Sequence, residues 1–264
     1  MNIEIIKAAV LGVVEGITEF LPVSSTGHLI LAGDLLGFND ETAKTFEVFI
    51  QLGAILAVVW MYRTKLTSII KSIGTEKTNR FLLNLLTAFL PAVFFGLIAH
   101  SFIKRHLFSP ITVACALIAG GIAILVIERV VKKPVVMDID NVSFKQALGI
   151  GMAQTLSLFP GVSRAGATIM GAMCFGLERK AATEFSFFLA IPTMFAAVSY
   201  DLLKTYHNLS INDIPVFAVG FIVSFFSALI VIKAFLGFVT KHTFDFFAVY
   251  RIIFGAAVLF YYVK

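Results

Sequence analysis

Charge is what this sequence has least of. Aspartate, glutamate, lysine and arginine make up 14% of its 264 residues, where a soluble domain carries about a quarter. Hydrophobic residues make up 59% and the mean hydropathy is +0.93, which excludes water as the main solvent of the folded chain. Cysteine is scarce too. Cys115 and Cys174 lie far apart inside apolar runs, which excludes a closely spaced zinc or redox motif and leaves no basis for a disulfide. The net charge of +5 is not gathered into an arginine-rich run or a basic domain, so nucleic acid is excluded as a partner. The N-terminal stretch also lacks the clean apolar region of a signal peptide, because Glu15 and Glu19 interrupt it, and no cleavage is expected.

What the chain does have is a succession of apolar runs near the length of about 20 residues that a helix needs to cross hydrocarbon. Six are unbroken: Phe46 to Tyr62, Phe81 to Phe102, Ile111 to Ile127, Phe185 to Leu203, Ile214 to Ile232 and Phe246 to Val263. Two more, Ile5 to Phe38 and Ala147 to Leu177, are split by a polar centre containing proline. Irregular backbone at membrane depth survives only when protein or a wet cavity surrounds it. Both broken stretches are therefore expected to form re-entrant helix-loop-helix hairpins. The expected fold is a single all-α integral membrane domain, residues 1–264, with six transmembrane helices and two such hairpins.

An internal repeat organises these elements. A shift of 138 residues places Lys7 and Ala9 on Lys145 and Ala147, and Pro22 on Pro160. With Gly161 as a one-residue insertion, a shift of 139 places Val23, Ser24, Gly27, Ile30 and Gly37 on Val162, Ser163, Gly166, Ile169 and Gly176. Repeat one covers about 1–130 and repeat two about 140–264, each a broken stretch followed by three spans. A hairpin leaves on the side it entered, so three spans invert the second copy relative to the first. With the N-terminus outside, thirteen lysines and arginines fall on inner connections and six on outer ones, in agreement with the positive-inside rule. The two tips then meet near the midplane.

The tips carry the chemistry. At the first, Glu15 and Glu19 are four apart on one helical face, before Pro22 and the run Ser24-Ser25-Thr26-Gly27-His28. Carboxylates at that depth cost about 2.5 to 3.5 kcal/mol each, so a divalent cation on Glu15 and Glu19, or an arginine, is the expected partner. The hydroxyl run can cap the next helix and leave its N–H groups aimed at the tip, a phosphate-binding geometry. Taken alone, each hydroxyl is equally an ordinary cap. The second tip, Pro160 to Thr168, contains Gly161, Ser163 and Thr168 around Arg164, a guanidinium suited to gripping phosphate oxygens in pairs. Ser25 is the candidate nucleophile, with Glu19 or His28 taking its proton, and His28 as nucleophile or acid is the open alternative. Ser24, Thr26, Gly161, Ser163 and Thr168 are candidates for holding substrate. Gln51 either lines the cavity or bonds across helices, and Arg251 is expected to anchor a carboxylate or carbonyl.

These two tips resemble the undecaprenyl-pyrophosphate phosphatase family associated with bacitracin resistance. Glu15 to Glu19 meets that family's acidic motif, and Gly12 to His28 is similar to its signature throughout. Pro160 to Thr168 matches its Pro-Gly-x-Ser-Arg-Ser-x-x-Thr motif, except that Ala165 stands where the motif has serine. Thr45-Phe46-Glu47-Val48 and Gln51-Leu52-Gly53 extend the likeness. The resemblance implies an enzyme of the bacterial cytoplasmic membrane that removes the terminal phosphate of undecaprenyl pyrophosphate at the outer face. The monophosphate carrier is thereby recycled for cell-wall synthesis, with Mg²⁺ or Ca²⁺ required. Its partners are then an isoprenoid lipid pyrophosphate and the surrounding membrane lipids, and a homodimer is compatible with this. The rival is a transporter or flippase of a polyprenyl phosphate lipid, because inverted repeats with broken helices are common in transporters.

Overall fold

The structure, a computed structural model, describes residues 2–38, 41–107, 109–131, 134–205 and 210–263. Of the basic residues counted for orientation, Lys132, Lys133 and Lys264 lie outside these. Among the described residues there are eleven α-helices and no strand beyond one isolated bridge between Val136 and Leu177. They are α1 (Asn2–Thr18), α2 (Ser25–Leu36), α3 (Glu41–Met61), α4 (Arg63–Lys71), α5 (Glu76–His106), α6 (Pro110–Val130), α7 (Phe144–Gln154), α8 (Arg164–Cys174), α9 (Arg179–Thr205), α10 (Ile214–Val239) and α11 (Asp245–Val263).

Six segments are long and apolar enough to cross a bilayer: Thr42–Met61, Glu76–Ala99, Pro110–Val130, Arg179–Lys204, Ile211–Val239 and Asp245–Val263. Each contains or nearly contains one of the six runs read from sequence, and together they make a multi-pass membrane protein. The helices outgrow the runs because polar residues at their ends still form helix. The connection after α3 folds as the short helix α4.

Each broken stretch becomes two short helices around a turn. Thr18 closes α1 by donating to the Val14 carbonyl at 2.7 Å, and the chain then runs irregularly through Pro22 to Ser24. In the second stretch, α7 opens with a capping box between Ser143 and Gln146 and gives way to a 3-10 turn over Thr155–Leu158 before Pro160 and Gly161. α1 lies along α10 and α7 lies along α5. Small residues allow both approaches: a Cβ on Gly16 would meet the Ser224 carbonyl at 2.5 Å, and one on Gly151 the Ala88 carbonyl at 2.6 Å. Small residues are the usual means of close helix packing in membranes.

Two polar clusters tie the ends of the helices together. Arg179 at the start of α9 grips Glu128 at the end of α6, and Glu128 also accepts the backbone N–H of Phe244 at 2.8 Å, just ahead of α11. Asp140 meets both Lys65 and Lys77, at 3.1 and 2.9 Å. Burial opposes the Asp140 charge, but the hydrogen bonds from Lys77 and Lys65 outweigh it and hold the carboxyl below its ordinary range.

The two turns are joined by Arg251 of α11, which is 1% exposed. Its guanidinium has five N–H donors, and all five are used. Nε donates to Leu117 at 3.2 Å, one terminal nitrogen to Pro22 and Val162 at 3.1 and 3.0 Å, and the other to Ala116 and Gly161 at 3.2 and 3.0 Å. Every acceptor is a backbone carbonyl. Gly120 supplies the room, since a Cβ there would collide with the guanidinium. The sequence expectation that Arg251 anchors a carboxylate or a carbonyl thus resolves to carbonyls from both hairpin turns and from α6.

Removing this side chain should cost the fold more than the site. An orphaned buried acceptor costs about 1–3 kcal/mol, so Arg251→Leu is expected to destabilise the protein by roughly 3 kcal/mol or more. Arg251→Lys, with three donors in place of five, should fall between wild type and the leucine variant. Thermal unfolding in detergent measures this, and a lysine variant that melts with the wild type would refute the bridging role.

Candidate functional site

The site forms where the two turns meet. Ser25 is the first residue of α2 and Arg164 the first residue of α8, and both reach one carboxylate. Ser25 Oγ donates to Glu19 Oε2 at 2.6 Å, and an Arg164 terminal nitrogen donates to Glu19 Oε1 at 2.8 Å. Two helix N-termini therefore converge on Glu19, which is 9% exposed. Free N–H groups and the positive dipole end make such termini suited to phosphate.

Arg164 is held by what surrounds it. Its guanidinium lies 5.4 Å from the centre of the Phe20 ring, donates to the Ser186 carbonyl at 3.4 Å, and has Met194 Sδ at 3.1 Å. Phe20 in turn packs edge-on against Phe187 of α9, with ring centres 5.4 Å apart. The Arg164 Nε has no hydrogen-bond partner among the described residues. A second donor on the same planar group thus remains for a paired contact with phosphate.

Glu15 completes the acidic face. It is fully buried, and neither carboxylate oxygen has a hydrogen-bond partner among the described residues. Glu19 and Glu47 of α3 lie within electrostatic reach of it, as does Arg164. Of the two carboxylates, it is Glu19 rather than Glu15 that takes the arginine. A buried carboxylate without a partner is costly, so the position is suited to a cation. Among the described residues no three acids, histidines or cysteines cluster as a complete metal cage.

The other expected site residues divide into two groups. Ser24 lies at the tip in a left-handed conformation, φ 69°, with its hydroxyl buried and unpartnered among the described residues. The expected helix cap from Ser24 is absent. Thr26 follows on the first turn of α2, half-buried. Gly161, Ser163 and Thr168 carry structural duties: Gly161 at φ 93° gives its carbonyl to Arg251, Ser163 caps α8 by accepting from Gly166 N–H at 3.0 Å, and Thr168 shares a 2.6 Å hydrogen bond with Ser186. Gln51 is half-buried on α3, one turn beyond Glu47, and is not hydrogen-bonded to the Glu19 group.

His28 is near the tip, yet both its nitrogens are engaged away from Ser25. Nδ1 lies 2.8 Å from the Ser24 carbonyl oxygen and Nε2 lies 2.5 Å from the Tyr250 hydroxyl. Sequence reasoning passed over Tyr250, Phe20, Ser186 and Met194. Only Tyr250 carried a usable signal, as a polar aromatic residue beside Arg251 within an apolar span.

Comparison with known proteins follows the same residues. The family described as "Bacitracin resistance protein BacA" matches residues 8–257. The undecaprenyl-diphosphatase of Methylobacillus flagellatus is 55% identical over 263 residues, covering 98% of both chains. That of Nitrosomonas europaea is 56% identical over 97% of this chain and 93% of its own. The undecaprenyl-diphosphatase 2 of Paramagnetospirillum magneticum is 52% identical over 95% of this chain and 96% of its own. With both turns, five spans and most of the sixth inside the matched region, the chain belongs to the bacitracin resistance protein BacA family.

Proposed function

We propose that this protein is an undecaprenyl-pyrophosphate phosphatase whose nucleophile is Ser25 and whose base is Glu19. The observation that carries the assignment is the 2.6 Å hydrogen bond from Ser25 to a carboxylate that also holds Arg164. Curated relatives of this family, more than half identical over nearly the whole chain, bear the name undecaprenyl-diphosphatase. A transporter needs groups that bind and release a headgroup, but it does not need a hydroxyl aimed at a base.

The geometry supports the following sequence. With no substrate, Arg164 is paired with Glu19 at 2.8 Å. An entering diphosphate draws Arg164 onto its oxygens, where the guanidinium can bind in pairs, and Glu19 is released toward Ser25. Ser25 Oγ then attacks the terminal phosphorus while its proton passes to Glu19. The bond from that phosphorus to the bridging oxygen breaks, and the electron pair stays on that oxygen, which takes the proton from Glu19 as undecaprenyl phosphate leaves. Water then attacks the phosphoserine and gives its proton to the freed Glu19 carboxylate; the bond from phosphorus to Ser25 Oγ breaks, the serine oxygen takes that proton from Glu19, and inorganic phosphate departs. N–H groups at the starts of α2 and α8 and the Arg164 guanidinium stabilise the charge that develops on the phosphoryl oxygens. His28 is disfavoured as nucleophile because its Nδ1 faces a carbonyl and its Nε2 faces Tyr250.

A divalent cation, Mg²⁺ or Ca²⁺, fits beside Glu15 and the diphosphate, where it would offset charge on the phosphate oxygens. Glu15 is the residue that would hold it, with Glu19 contributing once Arg164 has moved.

The two hairpins are re-entrant and the two halves inverted in this reading. α1 packs on α10 as α7 packs on α5, so each half lends its first hairpin helix to a span of the other, while α3 pairs with α9 and α6 with α11. That is the exchange expected of two copies about a pseudo-twofold axis. Combined with the distribution of basic residues, it supports a first hairpin that opens to the outer face of the cytoplasmic membrane.

Purified protein given an isoprenyl diphosphate and Mg²⁺ should release phosphate, and a complete absence of release would defeat the assignment. Ser25→Ala should lower kcat by roughly 10³-fold or more, while Arg164→Ala should both lower kcat and raise KM.

Glu15→Gln has two expected effects of opposite sign. Removing an unpaired buried carboxylate should raise the melting temperature of cation-free protein, whereas the Mg²⁺ concentration giving half-maximal phosphate release should rise at least several-fold. A variant that loses stability and keeps the wild-type Mg²⁺ dependence would show that Glu15 is a structural residue.

Orientation is checked by cysteine labelling in a Cys115→Ala, Cys174→Ala background. An impermeant maleimide applied to intact cells should react with Arg105→Cys and spare Lys71→Cys; the reverse pattern would turn the topology over.

A further inference from the structure

The hydrogen bonds of His28 set its tautomer. A carbonyl oxygen only accepts, so Nδ1, 2.8 Å from the Ser24 carbonyl, carries the proton. In the neutral ring Nε2 then offers a lone pair, and the Tyr250 hydroxyl donates to it at 2.5 Å. The imidazole is stacked on Phe254 with ring centres 4.1 Å apart, and it lies nearly parallel to the Tyr250 ring at 5.6 Å. A residue of α11 thereby reaches, through His28, the backbone of the residue just before the nucleophile.

That backbone is strained. Ser24 has φ 69°, a region that costs a non-glycine residue roughly 1–3 kcal/mol. The internal repeat supplies a comparison within the same molecule. Ser163 occupies the matching place before α8 with φ 75°, and its own hydroxyl secures the turn by accepting from Gly166 N–H at 3.0 Å. Ser24 makes no such cap, and its buried hydroxyl has no partner among the described residues. In the other half, Ala167 stands at the position of His28. One half holds its turn with the serine; the other holds it with a histidine and a tyrosine, which leaves the serine hydroxyl unspent.

We propose that Tyr250 is a positioning residue for phosphate release: acting through His28, it holds the Ser24 turn so that the Ser24 hydroxyl stays available to a phosphate oxygen and Ser25 stays aimed at the terminal phosphorus. This rests on the phosphatase reading above. His28, on the same grounds, is a positioning residue as well.

Tyr250→Phe keeps the ring stack and deletes the hydroxyl. It should lower kcat about tenfold while KM moves much less, since small misplacements of a nucleophile cost up to roughly 100-fold. His28→Asn keeps an N–H donor where Nδ1 stood and should retain activity near that of Tyr250→Phe, well above His28→Ala. The double variant Tyr250→Phe, His28→Asn should be no worse than either single change. Wild-type kcat in Tyr250→Phe would overturn the proposal. So would losses that multiply in the double variant, or a His28→Asn variant as inactive as His28→Ala. Nitrogen NMR of ¹⁵N-histidine-labelled protein supplies a readout that needs no substrate. One histidine should show protonated Nδ1 and unprotonated Nε2, with the Nε2 resonance shifting in Tyr250→Phe as its hydrogen bond is lost; an unmoved Nε2 resonance there would also overturn the proposal. If the wild type released no phosphate, the functional reading would fail, and the spectrum would still decide whether the tyrosine bonds the ring.

Discussion

A buried carbonyl needs a donor, and the two irregular turns depend on that constraint more than on any other. A helix satisfies its own backbone, but a buried turn leaves carbonyls that must find donors elsewhere. Arg251 meets the requirement for both turns at once, with all five N–H groups on carbonyls of Pro22, Gly161, Val162, Ala116 and Leu117. Because one planar group serves both, the turns cannot drift apart without orphaning several buried acceptors. The contact between Ser25, Glu19 and Arg164 follows from that clamp. Its charge is used for geometry and not for chemistry.

Electrostatics at the site are left unbalanced by design of the residues. Arg164 compensates Glu19, while Glu15 has no hydrogen bond among the described residues and has Glu47 nearby. A protein selected for stability alone would replace such a carboxylate with an apolar residue of similar size, because buried unpaired charge is expensive. Its presence is consistent with a ligand that brings positive charge. In the proposed sequence Arg164 moves to phosphate, and the excess of acid that remains then favours a cation.

Much of this was legible in the chain, and the rest was hidden for identifiable reasons. The six spans were legible because their lengths and apolarity leave no other solvent, and the two turns because Pro22, Pro160 and the neighbouring serines break runs that would otherwise continue. Glu19, Ser25 and Arg164 were legible as polar groups that membrane depth makes costly. Which glutamate takes the arginine was not, since Glu15 and Glu19 share one helical face and only the approach of the second hairpin distinguishes them. The partners of Arg251 were hidden because backbone carbonyls have no signature in a sequence. Ser24, Gly161, Ser163 and Thr168 were all expected as substrate contacts, and the sequence does not show which of them also have structural partners: the Ser24 hydroxyl has none among the described residues, while Gly161, Ser163 and Thr168 do.

The repeat explains how such a site arises from ordinary parts. Two copies of a helix-turn-helix give two left-handed serines, two helix N-termini and two close helix contacts, all of which a symmetric pair would share. Function enters where the copies differ. Glu15 and Glu19 fall opposite Ala153 and Ser157, Ser25 opposite Arg164, and His28 opposite Ala167. In the proposed mechanism one half therefore supplies base, nucleophile and cation ligand, and the other supplies the anion clamp. A diphosphate needs all of them within one cavity, so neither copy alone would suffice. A transporter gains from keeping its halves alike, because alternating access exchanges their conformations. Here the polar residues at the two tips have diverged while the backbone turns have not, which is what fixed-site chemistry demands of a duplicated fold.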